Sequence, residues 1–318
     1  LGLASLSPPP LDADTSGRDS LEQLRAIAKT TADLALLVAS YHFDKDGDRA
    51  LALLGEIQPP TATSLTAQGS VFQSLKRLDE AQAAFQKAVA LDGRFARAYD
   101  GLGAVMRARG RNAQALSYFE KSAELDPARA GPHTQLGLIH ESEGRYEKAL
   151  DEFKKAEALG PRTSVPRLHA GSLYDLLGRR REAEAELRAL MEKIKNNPDE
   201  KLQVGPVYAL ILLRAGKAKD ADAVLAGLAG PAWPASMSAF LAGKLGEEAF
   251  LRSAEAGDPQ EKPRRLCQAY YFAGARLSLS GRPQDAARAR GYFQKAVAAG
   301  KENVLEFQRA RFELSRPK

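Results

Sequence analysis

The stretch GLGAVMRARGRNAQALSYFEKSAELDP, Gly101 to Pro127, decides the fold. Apolar residues recur at helical spacing on both sides of a single break at Gly110 and Arg111, which predicts two short amphipathic helices joined by a tight turn. Slid along the chain, the stretch finds copies of itself. Gly69, Gly103, Gly137 and Gly171 stand 34 residues apart. With these glycines as position eight of a 34-residue unit, position twenty is Ala81, Ala115, Ala149 and Ala183, and position twenty-four is Phe85, Phe119, Phe153 and Leu187. Position fifteen holds Gly110, Gly144 and Gly178, and position thirty-two holds Gly93, Pro127 and Pro161.

Each residue type has a physical reason to sit where it does. Antiparallel helices approach closely only where small residues face one another, and the large residue at twenty-four fills the space toward the next unit. Glycine at fifteen takes the turn that ends the first helix, and proline after the second helix stops it. The pattern resembles the tetratricopeptide repeat, which asks for small residues at eight and twenty, a large one at twenty-four and proline near thirty-two. The resemblance implies an all-α, right-handed solenoid of helix pairs.

Weaker copies extend the array. ADLALLVASYHFDKDGDRALALLGEIQPP precedes the regular units over 62–197, and VYALILLRAGKAKDADAVLAGLAG and AYYFAGARLSLSGRPQDAARARGYFQKAVAAG follow them. In the last copy the glycine-to-aromatic spacing is three residues longer, which predicts a second helix that starts early and runs on. About seven helix pairs result. Between the last two copies a segment opened by Trp233 and Pro234 departs from the repeat and predicts one helix near Ser236 to Ala256, then a charged loop. KENVLEFQRARFEL reads as a capping helix. The organisation is therefore a linker over 1–20, a repeat superhelix over 21–230 and a C-terminal helical module over 231–318. That module, from Trp-Pro and FLAGKL through CQAYYFAGARLSLSG, YFQKAVA and EFQRARFEL, resembles outer-membrane lipoproteins of the NlpI type.

Composition agrees with a helical repeat protein: 318 residues, 44% hydrophobic, 27% charged and only 7% aromatic. No apolar run approaches the roughly 20 residues of a membrane-spanning helix. Cys267 is the single cysteine, so there is no intramolecular disulfide and no multi-thiolate metal site. The opening LGLASLSPPPLDADTSGRDS reads as a linker downstream of a removed segment, either a targeting signal or a lipid-anchored cysteine, though an expression remnant would read the same. Residues 262–318 carry thirteen Lys or Arg against four acids, a net +9 on a chain of net +6. Such an end can attract an acidic partner, an anionic membrane face or nucleic acid, unless these are simply solvated helix faces.

No catalytic constellation stands out. Of the four imidazoles, His42, His133, His140 and His169, His133 and His140 share one helix face at positions where the repeat buries large residues, and no carboxylate sits at ligand spacing beside both. DKDGD, Asp44 to Asp48, lacks the later oxygen ligands of a calcium loop and reads as a helix-capping turn. Cys267 reads as a packed thiol. The chain is therefore read as non-catalytic, with no cofactor, no metal and no small-molecule substrate, and nucleic acid is disfavoured for want of a reader motif. Function falls to surfaces.

First helices of stacked pairs line a concave groove through positions two, five, six, nine, twelve and thirteen. These positions nominate Thr66, Ser70, Gln73, Arg97, Asp100, Arg107, Gln135, Glu141, His169 and Asp175. They do not match the carboxylate clamp of chaperone-tail binders, which needs Lys, Asn and Arg where Thr66, Ser70, Gly101, Gly131 and Gln135 stand here. Tyr271 and Phe272 are a second nomination, as aromatics beside the basic end suited to docking or to a homodimer. The resemblance to envelope lipoproteins implies a periplasmic or outer-membrane adaptor that docks a protease or cell-wall enzymes. Alternatives are a structural subunit of a polysaccharide-export, pilus or secretion assembly, or the repeat domain of a larger intracellular protein in the cytoplasm.

Overall fold

The computed structural model describes residues 47–160, 163–228, 232–256, 258–300 and 304–316, and every regular element among them is an α-helix. His42, the start of the DKDGD turn and the 1–20 linker lie outside the described residues. The chain divides into two compact units, residues 1–136 and 137–318. The boundary expected at 230 falls within the second of them.

The first unit holds α1 (Gly47–Gly55), α2 (Ala62–Ser74), α3 (Leu78–Leu91), α4 (Ala96–Ala108), α5 (Asn112–Leu125) and the first half of α6 (Ala130–Ser142). Helices α2 with α3, and α4 with α5, are the antiparallel pairs that the 34-residue period predicts. A Cβ placed on Gly69 would come within 2.6 Å of the Phe85 ring of the same pair, and one on Gly103 within 2.9 Å of Phe119. The small residue is needed because the ring lies flat on the bare backbone. Phe85 is also covered from the next pair: a Cβ on Gly101 would overlap its ring. One aromatic thus joins two successive repeats. Ala81 and Ala115 are fully buried at the same helix contacts.

The second unit continues with the rest of α6, α7 (Tyr146–Ala158), α8 (Val165–Leu176), α9 (Arg180–Lys193), α10 (Pro198–Arg214) and α11 (Ala218–Ala226). Gly137 and Gly171 repeat the contact, each leaving only 2.5 Å between a built Cβ and Phe153 or Leu187. The insertion differs from the sequence expectation. It is two helices, α12 (Ala232–Leu241) and α13 (Glu247–Glu255), because Gly243 turns the chain with φ 77° where one continuous helix was predicted. Trp233, Phe250 and Phe240 stack at 5.7 and 4.2 Å to close this insertion around its own rings.

The last pair is α14 (Lys262–Ser278) and α15 (Pro283–Ala299), followed by α16 (Leu305–Ser315). Its extra three residues do not make α15 start early: Pro283 follows Gly281 by the same two positions that separate Asn112 from Gly110. Instead Phe293 sits almost one helical turn later, and three residues are close to the 3.6 of a turn, so its ring keeps the same face. It still meets Gly274, at 2.8 Å from a built Cβ.

Two substitutions test this packing. The turn between first and second helices uses the left-handed region, with Gly110 at φ 72°, but the first regular repeat puts Lys76 there at φ 60°. A left-handed side chain costs about 1–2 kcal/mol and glycine's flexibility returns part of that, so Lys76→Gly is expected to raise thermal stability by about 0.5–1 kcal/mol. Gly101→Ala is expected to lower it. Overlap with a ring held on both sides costs about 1–3 kcal/mol, while better helix propensity returns only about 1 kcal/mol. Thermal melts followed by circular dichroism decide both signs.

Candidate functional site

In the first unit, α2 and α4 present one face built from the nominated first-helix positions. Thr66, Ser70, Gln73, Asp100 and Arg107 are half-buried there and Arg97 is exposed; Gln135, on α6, is half-buried too. The hydroxyls turn inward: Ser70 Oγ donates to the Thr66 carbonyl at 3.0 Å, and Thr134 Oγ1 to the Ala130 carbonyl at 3.0 Å. Such back-bonding satisfies a hydroxyl inside a helix at a small cost to the helix itself.

Several polar atoms on these helices nevertheless lack a partner among the described residues. They include buried Thr66 Oγ1, Gln135 Oε1 and Asp100 Oδ1. Asp100 is paired through its other oxygen to Arg129. Arg107 has no ion pair or hydrogen bond among the described residues, and burial pushes its guanidinium below the ordinary value. The face therefore carries one internally neutralised acid and two unpaired cations, Arg97 and Arg107.

The corresponding face of the second unit is not open. Glu141 and Asp175 were nominated as groove residues, but they are only 2% and 6% exposed. The reason is α16, which packs against α8, α14 and α15. Asp175 is held by Arg214, which also donates to Glu313 of α16 at 2.9 Å. Burial alone would depress the Arg214 guanidinium, yet Tyr271 and the two carboxylates outweigh it and hold the group above its ordinary value. Arg311 donates to the Ser142 carbonyl at 3.1 Å, and the Phe312 ring meets Tyr146 edge-on at 5.3 Å. Glu141 pairs with His169, Oε2 to Nδ1 at 2.6 Å. So Glu141, His169 and Asp175 are brought together around one face, which α16 covers.

Tyr271 and Phe272 need correction as well. Both are buried, at 0% and 1% exposure, because their side of α14 faces the core shared with α15 and α16. The rings that reach the surface are their neighbours. Tyr270 and Tyr292 stack at 6.1 Å with Lys295 over both, and Phe307 lies under Arg311. Much of the +9 charge is also used internally: Arg282 and Arg288 meet Asp285 and Glu247, Arg316 meets Glu313, and Arg290 donates to the Leu314 carbonyl.

Sequence reasoning missed Arg309. Its side chain is fully buried, none of its three nitrogens has a hydrogen-bond partner among the described residues, and its guanidinium lies over the Tyr271 ring at 5.6 Å. A desolvated cation–π contact contributes about 2 kcal/mol, less than the several kcal/mol lost when a cation leaves water. The only signal in the sequence is an arginine at the centre of a helix with aromatics on either side.

The remaining titratable groups have structural explanations. Cys267 is buried, and burial together with nearby Glu306 pushes its thiol up to about 12, so it stays protonated near neutral pH. Burial and the positive charge of Arg145 lower His140, whose Nδ1 accepts from Arg145 Nε at 3.0 Å. Among the described residues no three His, Cys, Asp or Glu side chains gather as a metal site, and no helix is long and apolar enough to cross a membrane.

Residues 61–128 and 130–161 match models of the tetratricopeptide repeat. No curated protein sequence is significantly similar to the chain. Among solved structures, the Cut9–Hcn1 hetero-tetramer of APC/C aligns over 94% of this chain and 52% of its own, with a TM-score of 0.57 at 16% identity. This chain thus spans about half the length of that one, and the likeness is one of fold. MamA aligns over 52% of this chain and 92% of its own at TM-score 0.41 and 22% identity. YrrB, described as a repeat protein with an unusual peptide-binding site, aligns over 72% and 99% at TM-score 0.43 and 18% identity. The chain therefore carries tetratricopeptide repeats in an all-helical, helix-pair architecture, a fold that characteristically serves protein interaction.

The ion cluster on the covered face gives a direct check. Arg214→Ala leaves Asp175, whose side chain is 1% exposed, as an uncompensated buried charge beside Glu313. Removing one partner of a buried pair costs about 3–5 kcal/mol. Chemical denaturation of the intact chain is expected to show a loss of that size, and a loss below about 1 kcal/mol would contradict the placement of α16.

Proposed function

We propose that the chain is a non-catalytic docking protein and that a peptide segment bearing acidic side chains lies in extended form along the α2 and α4 face of the first unit. The observation that carries this is Arg107, a partly desolvated guanidinium with no acceptor among the described residues. Its desolvation has already been incurred by folding, so a carboxylate arriving there gains a charge-assisted, bidentate contact at reduced cost. Arg97 is ten residues away on the same helix, which at 1.5 Å per residue is about 15 Å. An extended chain covers that distance in about four or five residues. Two acids at that separation match the two cations, while Gln73, Thr66 and Gln135 offer hydrogen bonds to the backbone between them.

The cellular placement is a further part of the proposal. Its ground is the sequence resemblance read in the C-terminal segments alone, which implies an adaptor of the bacterial envelope, periplasmic and attached to the outer membrane by a lipid, whose partners include a protease or cell-wall enzymes. Fractionation of the source cells with an antibody to the chain tests that placement, and recovery in the cytosolic fraction would remove it.

Binding is tested with a fluorescein-labelled twelve-residue peptide carrying two glutamates five positions apart, and a lysine-for-glutamate control. Anisotropy titration is expected to show saturable binding of the acidic peptide alone. Arg107→Glu in the intact chain is expected to weaken it at least tenfold with an unchanged melting curve. Equal affinity for both peptides, or for both proteins, would overturn the assignment of the face.

A further inference from the structure

We propose that the covered face of the second unit is a helix-binding groove and that α16 is its exchangeable, built-in ligand. A partner helix carrying an aromatic residue followed by glutamate takes the same seat when α16 leaves. This concerns residues 137–316 and stands whether or not the first unit binds an acidic peptide.

The composition of α16 is that of a ligand rather than of a core helix. Of its residues, Leu305, Glu306, Gln308, Arg309 and Ala310 are buried, and three of these five are polar. A helix kept permanently in a core is apolar on the faces it buries. Here the apolar packing is accompanied by polar partners at the buried and half-buried positions. Gln268 donates to Glu306 at 3.4 Å while accepting from Trp233 Nε1 at 3.0 Å, Arg214 donates to Glu313, and Arg311 donates to the Ser142 carbonyl. Polar recognition beside apolar anchors, with Leu305 and Ala310 in the core, Phe307 and Leu314 packed on it and Phe312 against Tyr146, is how an amphipathic helix is read by a groove.

The seat is also imperfectly satisfied, and on both sides. Arg309 is fully buried without a hydrogen bond, and across the same face Asp175 Oδ1, Glu141 Oε1 and the Tyr271 hydroxyl are buried without partners among the described residues. Each regains hydration when the helix departs, which lowers the cost of opening relative to an apolar packing of the same area. Beside the C-terminal end of α16 lies a cleft of about 490 Å³ between Glu313 and Arg316 of that helix and Asp175, Leu177, Arg214 and Ser278, so a bulkier partner helix finds additional contact there. Local opening of this kind exposes a site without unfolding the repeats around it.

The test uses the intact chain and a labelled peptide of residues 304–316. A double variant, Phe312→Asp with Glu313→Lys, weakens the chain's own helix and leaves the groove unaltered. The peptide is expected to bind this variant at least tenfold more tightly than wild type, and adding Tyr146→Ala is expected to remove the gain. Equal binding to variant and wild type, or no binding to either by a variant of native helical content, overturns the proposal. Should the variant unfold, hydrogen exchange of the wild-type chain decides. Fragments covering 305–315 are expected to exchange faster than those covering 165–176 and 262–278, and equal protection overturns it.

Discussion

The contact of a ring with a bare backbone underlies both units. In five helix pairs, where the first helix crosses its partner, a glycine removes the side chain that would keep the helices apart, and an aromatic or leucine from the second helix lies in its place. Gly69 with Phe85, Gly103 with Phe119, Gly137 with Phe153, Gly171 with Leu187 and Gly274 with Phe293 are the same physical event. The consequence is strict periodicity, since the glycine fixes where the ring must be. The last pair shows how much tolerance there is: its ring moves by three residues because that returns it to the same face of α15. Polar surfaces elsewhere can vary freely as long as this contact is kept, which is why the exposed first-helix residues differ from repeat to repeat.

That constraint explains what was legible in the sequence. Period, helix pairs and turns followed from residues whose roles are local, such as Gly110 in the left-handed turn and Ala115 at the crossing. The break in the insertion was missed because Gly243 lies within an otherwise helical pattern, and glycine alone does not distinguish a costly helix position from a turn. Tyr271 and Phe272 were misread because adjacent aromatics on a helix point in directions about 100° apart, so the sequence shows that some rings are exposed without showing which. Tyr270 and Tyr292, one residue away from buried neighbours, take the surface.

The covered face was the least legible feature, since it depends on contacts between residues as far apart as Ser142 and Arg311. Periodicity placed Glu141, His169 and Asp175 on a groove, and that placement on the first helices holds. What periodicity does not contain is an occupant. The polar composition of EFQRARFEL suits an exposed capping helix, yet its charges find Arg214, Gln268 and the Tyr271 ring. The two units thus put similar helix faces to different uses: one keeps unpaired cations accessible, and the other has its charges engaged by its own chain.

The central claim is that external peptide docks on the first unit while the second is occupied. It is tested most directly by photo-crosslinking the intact wild-type chain with an acidic peptide that carries a benzophenone at its centre, and mapping the adducts by mass spectrometry. The account predicts adducts on α2, on α4 and around Gln135 at the start of α6, all within the first unit. Adducts concentrated on α8, α10 or α14, with none on α2 and α4, would contradict it.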